Sequence, residues 1–278
     1  MSSSVLVKKR IAAMLGQLSG VTGAYQREFR SKFTIVAFHR VNDELPEDGI
    51  TCGSKKFEAF CAFFRRYFRV VPLADQIDGC RAGSNMGGTL SITFDDGYLD
   101  NAEVAAPILR RFGLPATFFV TTGFLGTNEV PFWDQGFKKQ PGWMTWDHVR
   151  ALAAQGFEIG NHTDSHINMG LSAPDVIRRE LEVSKQKLVR ELGKPCNLFA
   201  YPFGGREQFS EEARSLVRAA GFSSCVSCYG GVNAIPADQF SLKRVGIGDW
   251  FARPHQLGFD LLRWSGGGAA QPLDTAHP

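Results

Sequence analysis

The sequence predicts a parallel α/β fold, and its pattern of apolar residues is the reason. Short apolar runs alternate with stretches of helical apolar spacing from residue 34 onward, with polar or glycine-containing turns between them. The alternation continues for about 230 residues and contains about seven runs that could be strands. This number suits a (β/α) barrel, complete or incomplete. In such barrels the chemistry takes place at the C-terminal ends of the strands.

The individual elements follow in order along the chain. Strands are predicted at 33–38, 90–94, 116–120, 157–159, 198–200, 224–227 and 242–247. Helices are predicted at 57–68, 102–112, 147–155, 174–192 and 210–220. Gly113 and Gly193 directly follow two of these helices, as is typical of C-caps, and Ser172 is predicted to begin the helix at 174–192. The glycine-rich end, 266–278, is predicted to be a flexible tail.

Composition places the chain among globular proteins and excludes several classes. The chain has 278 residues, of which 44% are hydrophobic and 23 are Phe, so a sizeable core is available. A net charge of +3 is too small to indicate a nucleic-acid partner, and no run of about 18 apolar residues predicts a membrane span. Cys225 and Cys228 have C-x-x-C spacing, but no second pair accompanies them. The six cysteines are therefore expected to be reduced core residues.

The first 33 residues form a basic leader with six Lys or Arg residues and one acidic residue. Five apolar residues in it have helical spacing: Val7, Ile11, Met14, Leu15 and Leu18. This amphipathic helix either lies on an anionic membrane surface through residues 5–30 or docks on the domain. A weak export signal is a further alternative, but the apolar run is short and no cleavage site follows it. The expected location is cytoplasmic, with peripheral contact at the inner face of the cytoplasmic membrane as a variant.

Polar residues follow several predicted strands at the point where each strand ends. Asp95 and Asp96 follow the strand at 90–94, His39 follows 33–38, and His162 follows 157–159. Two adjacent carboxylates at the end of a buried strand repel each other, so they require a cation nearby.

A metal ion would supply that cation. His162 and His166 are four residues apart, so both can converge on one ion, and a carboxylate from Asp95 or Asp96 would complete a set of three ligands. Three protein ligands leave a position open for water, which is typical of a catalytic metal site.

Four segments resemble the motifs of the polysaccharide deacetylase family, also known as the NodB-homology or carbohydrate esterase family 4 group. They read T-F-D-D-G at 93–97, F-G-L-P-A-T-F-F-V at 112–120, E-I-G-N-H-T-D-S-H at 158–166 and F-A-Y-P-F-G at 199–204. The resemblance covers residues 34–250 and is closest to the branch that contains the poly-N-acetylglucosamine deacetylases. It implies a distorted (β/α)7 barrel in a domain at 34–265. It also implies a hydrolase that removes acetyl groups from N-acetylated sugars.

The resemblance also implies roles for individual residues. Asp95 matches the catalytic base, and Asp96, His162 and His166 match the ligands of a divalent metal, usually zinc. The backbone N–H of Phe203 matches a donor to the oxyanion.

The chain departs from the family pattern at two positions. Ala200 stands where the commonest pattern has an arginine that holds the base, and Arg244 is the predicted substitute. The late leucine-x-histidine segment that usually supplies the general acid is absent. His39 is predicted to fill that role, as the resembling branch implies, with His255 as the alternative.

The sequence gives fewer indications of the residues that contact the substrate. The resemblance implies substrate contacts from Tyr201, Pro202 and Trp250, and the loop at 126–141 is predicted to be a specificity lid.

Several functions remain open from the sequence. The first is metal-dependent hydrolysis of the N-acetyl group of N-acetylhexosamine units in a cell-surface polysaccharide or its lipid-linked precursor. A deformylase acting on a lipid-linked aminosugar is a close variant. Two further alternatives are a catalytically silent carbohydrate-binding module and an amidohydrolase that acts on cyclic ureides or imides. Asp95, Asp96, His162 and His166 are all present, which favours an enzyme over a silent module. The expected partner is an N-acetylated glycan or lipid-linked sugar.

Overall fold

A computed structural model describes residues 3–266, so the predicted tail lies outside the described residues from 267 onward. The strands are β1 (Lys32–Phe38), β2 (Arg40–Val41), β3 (Thr51–Cys52), β4 (Arg69–Val70), β5 (Thr89–Phe94), β6 (Thr117–Val120), β7 (Glu158–Asn161), β8 (Leu198–Ala200), β9 (Ser224–Gly230), β10 (Asn233–Ala234) and β11 (Leu242–Gly246). The helices are α1 (Ser3–Val21), α2 (Ala24–Glu28), α3 (Ser54–Tyr67), α4 (Leu73–Arg81), α5 (Ala106–Phe112), α6 (Trp146–Ala154), α7 (Pro174–Leu192), α8 (Glu211–Ala219) and α9 (Pro254–Ser265).

Seven of the strands form a closed parallel barrel in the order β1, β5, β6, β7, β8, β9 and β11. Strand β1 closes it, because β1 pairs with β5 on one side and with β11 on the other. Val36 of β1 is paired with Ile92 of β5 and with Val245 of β11, so the three strands are in register at this residue. The prediction of a (β/α)7 barrel is confirmed.

The barrel separates two apolar layers by the alternation of side chains along each strand. Phe38, Phe94 and Phe118 point outward on three neighbouring strands and stack at centroid distances of 5.5 and 4.9 Å. Helix α3 covers this outer layer, with Phe57 placed edge-on against Phe38. Residues of opposite parity, such as Phe119, fill the interior.

The helices differ from the sequence prediction at several points. The stretch predicted as the start of a helix at 102 is a π-helical turn, Asn101–Ala105, that continues into α5. The prediction that Ser172 caps α7 is wrong, because Ala173 is the N-cap and the Ser172 hydroxyl donates to the carbonyl of Asn168 (2.9 Å).

Helices α4 and α9 were not predicted from the sequence. Gly258 interrupts the apolar pattern of α9, and it is needed there for packing. A Cβ at this position would lie 2.1 Å from the hydroxyl oxygen of Tyr25.

The basic leader forms α1, which docks on α9 through its small residues. Gly16 approaches α9 so closely that a Cβ would lie 1.8 Å from the carbonyl oxygen of His255, and the Tyr25 hydroxyl donates to the Gly16 carbonyl (2.7 Å). The apolar stripe predicted from the sequence is not the docked face, since Met14 is 63% exposed and Leu18 59%. In the part of the chain that the structure describes, no helix is both long and apolar enough to cross a bilayer.

Candidate active site

The alternation of side chains carries polar residues into the barrel at the C-terminal ends of its strands. On β5 the outward Phe94 lies between the inward Thr93 and Asp95, and Arg244 on β11 points inward to meet both. The interior of the barrel therefore holds a charged pair, and the cavity above it is lined by the residues of the predicted motifs.

Asp96, His162 and His166 form a buried group with the arrangement of a metal site. The Oδ1 atom of Asp96 lies 3.3 Å from the Nε2 atoms of both histidines. Oδ1 is buried and has no hydrogen-bond partner among the described residues. Ligand atoms in a tetrahedral zinc site, each about 2.0–2.1 Å from the ion, lie about 3.3–3.4 Å apart. The three residues therefore fit a divalent metal.

The protonation of the group also suits a metal. The Nδ1 atom of His162 lies 2.8 Å from the carbonyl oxygen of Ala200, which can only accept, so Nδ1 carries the proton and Nε2 keeps its lone pair. Burial alone would raise the pKa of Asp96, but the facing imidazoles of His162 and His166 hold it well below its usual range. Burial lowers the pKa of His166, which favours the neutral imidazole that binds metals.

Backbone strain is concentrated at this site. Within residues 3–266, the non-glycine residues with positive φ are Asp96 (76°), Thr163 (66°), His166 (56°) and Phe203 (61°). Each such conformation costs on the order of 1–3 kcal/mol, so the surrounding structure must enforce it. The Thr163 hydroxyl accepts from the His166 N–H, and the Asn161 side chain accepts from the Thr163 N–H. These bonds hold the turn that aims both histidines at Asp96.

Asp95 is held by Arg244 in a fully buried, two-pronged ion pair. The guanidinium Nη1 and Nη2 atoms lie 2.8 and 2.6 Å from Oδ1 and Oδ2 of Asp95. Burial alone would raise the pKa of Asp95, but the charge of Arg244 lowers it below its usual range. Arg244 therefore contacts the carboxylate that the arginine at position 200 was expected to hold, and its role as the substitute stays a prediction.

His39 lies at the rim of this pair, whereas His255 does not. The Nε2 atom of His39 is 4.0 Å from Oδ2 of Asp95, and burial lowers the pKa of His39. His255 lies on α9 with its ring 5.2 Å from that of Phe63 and does not line the cavity. This position excludes the alternative that His255 is the general acid at Asp95.

Two of the three predicted substrate residues, Tyr201 and Trp250, line the cavity. The cavity has a volume of about 640 Å³, and Trp250 lines it. Tyr201 follows the outward Phe199 by two residues, so its ring points away from the barrel interior and packs between Phe199 and Phe209. Pro202 is buried and is not part of the lining. Contact of Tyr201 with the substrate therefore stays a prediction, whereas Pro202 does not line the cavity as predicted.

Two residues of the site were missed by the sequence analysis. Cys228 points inward at the end of β9, with its sulfur 3.1 Å from Nη2 of Arg244 and 3.6 Å from Oδ2 of Asp95. Burial raises the pKa of the Cys228 thiol to about 12, so it stays protonated. Cys228 lies two residues after the inward Val226, so it faces the same way along the strand. This could have identified Cys228, but the predicted strand, 224–227, ended one residue before it.

The second missed residue is Trp133, in the loop predicted to be a lid. Its ring lies 4.7 Å from that of His166 and forms part of the cavity wall. The indole N–H donates to the Tyr98 hydroxyl (2.8 Å), which donates to Asp134 (2.8 Å), and Asp134 pairs with the buried Arg40. This network fixes the loop on the barrel. No local sequence pattern signals it, because its members are far apart in the chain.

Comparisons with known proteins agree with this geometry. The polysaccharide deacetylase family model matches residues 82–225, just over half of the chain. The peptidoglycan-N-acetylmuramic acid deacetylase PdaA of Bacillus subtilis is 26% identical over 153 residues, which are 55% of this chain and 51% of that protein. The chain spans about half the length of the curated relatives it matches.

Solved structures share the fold. The deacetylase PplD of Streptococcus pyogenes, in complex with acetate, aligns with a TM-score of 0.69 at 19% identity, covering 81% of this chain and 96% of that one. IcaB from Ammonifex degensii aligns with a TM-score of 0.69 at 22% identity, covering 84% of this chain and 97% of that one. Because the family model covers the motifs that build the Asp95 and Asp96 site, the chain belongs to the polysaccharide deacetylase family, whose members are hydrolases acting on N-acetyl groups of glycans.

Proposed function

We propose that this protein hydrolyses the N-acetyl group of N-acetylhexosamine units in a cell-surface polysaccharide or its lipid-linked precursor, with zinc as the metal. One observation carries the proposal. A three-ligand group of Asp96, His162 and His166 lies beside a carboxylate, Asp95, that Arg244 keeps ionised. Amide hydrolysis needs both parts, since the carbonyl must be polarised and a water proton must be removed.

Each residue has a role that follows from its position. A divalent ion held by the three ligands would polarise the amide carbonyl and acidify a water molecule. Asp95, oriented by its two bonds to Arg244, accepts the proton of the attacking water. His39, whose Nε2 atom lies 4.0 Å from Oδ2 of Asp95, delivers a proton to the departing amine. The backbone N–H of Phe203 stabilises the developing oxyanion.

The cavity suits a sugar. Its walls carry the aromatic side chains of Trp133, Phe203 and Trp250, and its lining also includes the carboxylates of Asp95 and Asp96. Aromatic rings give a sugar an apolar face to pack against, while polar groups orient it. Acetate bound to PplD, which has the same fold, supports the acetyl group rather than a larger acyl group as the part removed.

The proposal includes contact with a membrane through residues 5–30, because the apolar side chains of α1 face away from the barrel. This location would bring the cavity to glycans that are assembled or anchored at a membrane surface.

The direct test measures the acid that is released. Zinc-loaded protein is incubated with N-acetylated glycan oligomers and with lipid-linked N-acetyl sugars, and the released acid is identified by mass. Acetate from one substrate class is expected. Asp95→Asn should lower the rate by about two to four orders of magnitude, because the base is lost. Asp175→Asn, an exposed aspartate on α7, is the matched control and should keep the full rate.

The other outcomes change the assignment. Formate in place of acetate would make the protein a deformylase on the same residues. No acid from any substrate would favour the silent carbohydrate-binding module. An Asp95→Asn variant as active as Asp175→Asn would remove Asp95 from the mechanism.

A further inference from the structure

A second cavity lies outside the active site, between α1, α3 and α9, and we call it the basic groove. It has a volume of about 730 Å³, and its lining includes Ala13, Met14, Ala59, Ala62, Phe63, Tyr67 and Pro254. Four basic side chains also line it: Lys9, Arg10, Arg66 and Arg253. Among the described residues that line the groove there is no Asp or Glu.

The charge of the basic groove is not neutralised by carboxylates of the residues that the structure describes. None of its four basic residues forms an ion pair with a carboxylate in residues 3–266. Lys9 donates to the backbone carbonyl of Asp249 (3.4 Å), and the Arg66 guanidinium lies 5.5 Å from the centre of the Tyr67 ring. Four unpaired cations around an apolar floor form a site for a molecule with an anionic head and an apolar body.

The outer face of α1 continues the apolar floor of the groove. Six of the ten exposed large hydrophobic side chains in the described chain lie on this helix: Val7, Ile11, Met14, Leu15, Leu18 and Val21. At about 100° per residue they fall within one arc of about 120°, and Gly16 on the opposite side faces α9. Met14 belongs to both the arc and the groove, so the two surfaces are continuous.

We propose that the basic groove binds the phosphate headgroup of an anionic lipid in a bilayer, while the apolar arc of α1 lies at the acyl boundary. Basic residues beside an apolar helix face are the pattern of interfacial helices on anionic membranes. A second copy of the chain fits less well, because it would bring its own unpaired cations to the contact.

The position of the groove gives it a relation to the active site. Lys9 bonds to the backbone of Asp249, and the next residue, Trp250, lines the catalytic cavity. A lipid in the groove would therefore hold the rim of that cavity close to the membrane surface. This inference makes the membrane contact of the proposed function specific for anionic lipids.

The test is the binding of the full chain to vesicles, measured by flotation. Wild-type protein should bind vesicles of phosphatidylcholine with phosphatidylglycerol and should bind phosphatidylcholine vesicles far more weakly. Arg66→Gln/Arg253→Gln should weaken binding to the anionic vesicles by about thirtyfold, as expected for two basic side chains at an anionic surface. High salt should weaken wild-type binding in the same direction.

A matched control removes the same charge elsewhere. Arg178→Gln/Lys194→Gln removes two exposed basic residues at α7, on another part of the barrel, and should stay within about twofold of wild type. Both double variants should keep the wild-type circular dichroism spectrum and the wild-type rate on a soluble substrate.

Two outcomes would overturn the proposal. One is equal loss of binding in the two double variants, which would indicate net charge rather than the groove. The other is wild-type binding that does not depend on phosphatidylglycerol. The binding measurement needs no turnover, so a failure of the deacetylation proposal would not affect it.

Discussion

The pairing of Asp95 with Arg244 shows how one residue's role depends on a distant partner. Asp95 is 1% exposed and Arg244 is fully buried, so each charge would be costly without the other. The thiol of Cys228 borders both groups and completes their surroundings. In the family pattern that the sequence resembles, the arginine stands at the position of Ala200. That position is on β8, across the barrel interior from Asp95. An arginine from β11 reaches the same carboxylate because the barrel is closed.

The energetic coupling of this pair can be measured. Asp95→Asn and Arg244→Met should each lower the free energy of unfolding by about 3–5 kcal/mol at pH 7, because each leaves a buried partner unpaired. The double variant should lose clearly less than the sum of the two. Urea unfolding of the four proteins with a chelator present measures this without a contribution from bound metal. Strictly additive losses would contradict the buried ion pair.

The three proposed metal ligands make a second residue-scale prediction. His166→Ala should abolish retention of zinc after dialysis, whereas wild-type protein keeps about one ion per chain. His255→Ala, which alters a histidine outside the cavity, is the control and should retain the metal. Metal content is measured by mass spectrometry of the dialysed proteins. Retained zinc in His166→Ala would remove this residue from the ligand set.

At the scale of elements, Asp100 fastens the segment after β1 to the segment after β5. Its carboxylate accepts from the backbone N–H of Val41 and from the side chain of Asn42, both at 3.2 Å. Burial raises the pKa of Asp100 to about 6, despite these bonds. The segment after β1 begins with His39, so this contact also helps to position the proposed general acid.

The raised pKa of Asp100 makes stability depend on pH in a defined direction. The folded state keeps the proton longer than the unfolded state does. The proton on Asp100 therefore stabilises the folded state. This stabilisation is fully present below the unfolded pKa of about 3.9 and is lost as pH rises through about 6. Between pH 4 and 6.5, wild type should lose about 2 kcal/mol of unfolding free energy relative to Asp100→Asn.

Urea unfolding across this pH range tests the prediction. Asp175→Asn, on the exposed surface of α7, is the control and should follow wild type at every pH. Parallel curves for wild type and Asp100→Asn would mean that Asp100 titrates normally in the folded protein.

At the scale of the whole molecule, α1 is attached to the barrel through a close contact of backbones. The Gly16 contact with α9 leaves no room for a side chain, and Tyr25 closes the contact with a hydrogen bond. This packing turns the apolar arc of α1 outward. The folded protein therefore exposes on one side a row of large hydrophobic side chains that a globular chain usually buries.

Substitution of Gly16 tests this attachment. Gly16→Val should lower the free energy of unfolding by about 1–3 kcal/mol, the usual cost of overpacking, even though valine has the higher helix propensity. Gln17→Val, at an exposed position of the same helix, should change it by less than about 0.5 kcal/mol. Thermal and urea unfolding measure both. If Gly16→Val were as stable as Gln17→Val, α1 would not be docked through this face.

The sequence by itself determined the barrel and the grouping of Asp96 with His162 and His166. Apolar runs of the right length identify strands, and the barrel follows from their number and alternation with helices. The proposed metal ligands lie in short motifs directly after two strands, and the C-terminal ends of parallel barrel strands meet at one rim, so their convergence could be predicted. The family model likewise covers these motifs, but not His39 or Arg244.

Only the tertiary structure decided which distant residues complete the site and which face of α1 is free. Closure of β1 against β5 and β11 joined His39 and Arg244 to Asp95, and the parity of β8 turned Tyr201 outward. These outcomes depend on strand register and on side-chain direction across the whole barrel. A linear pattern does not contain that information, because one residue of register shift reverses every side chain of a strand.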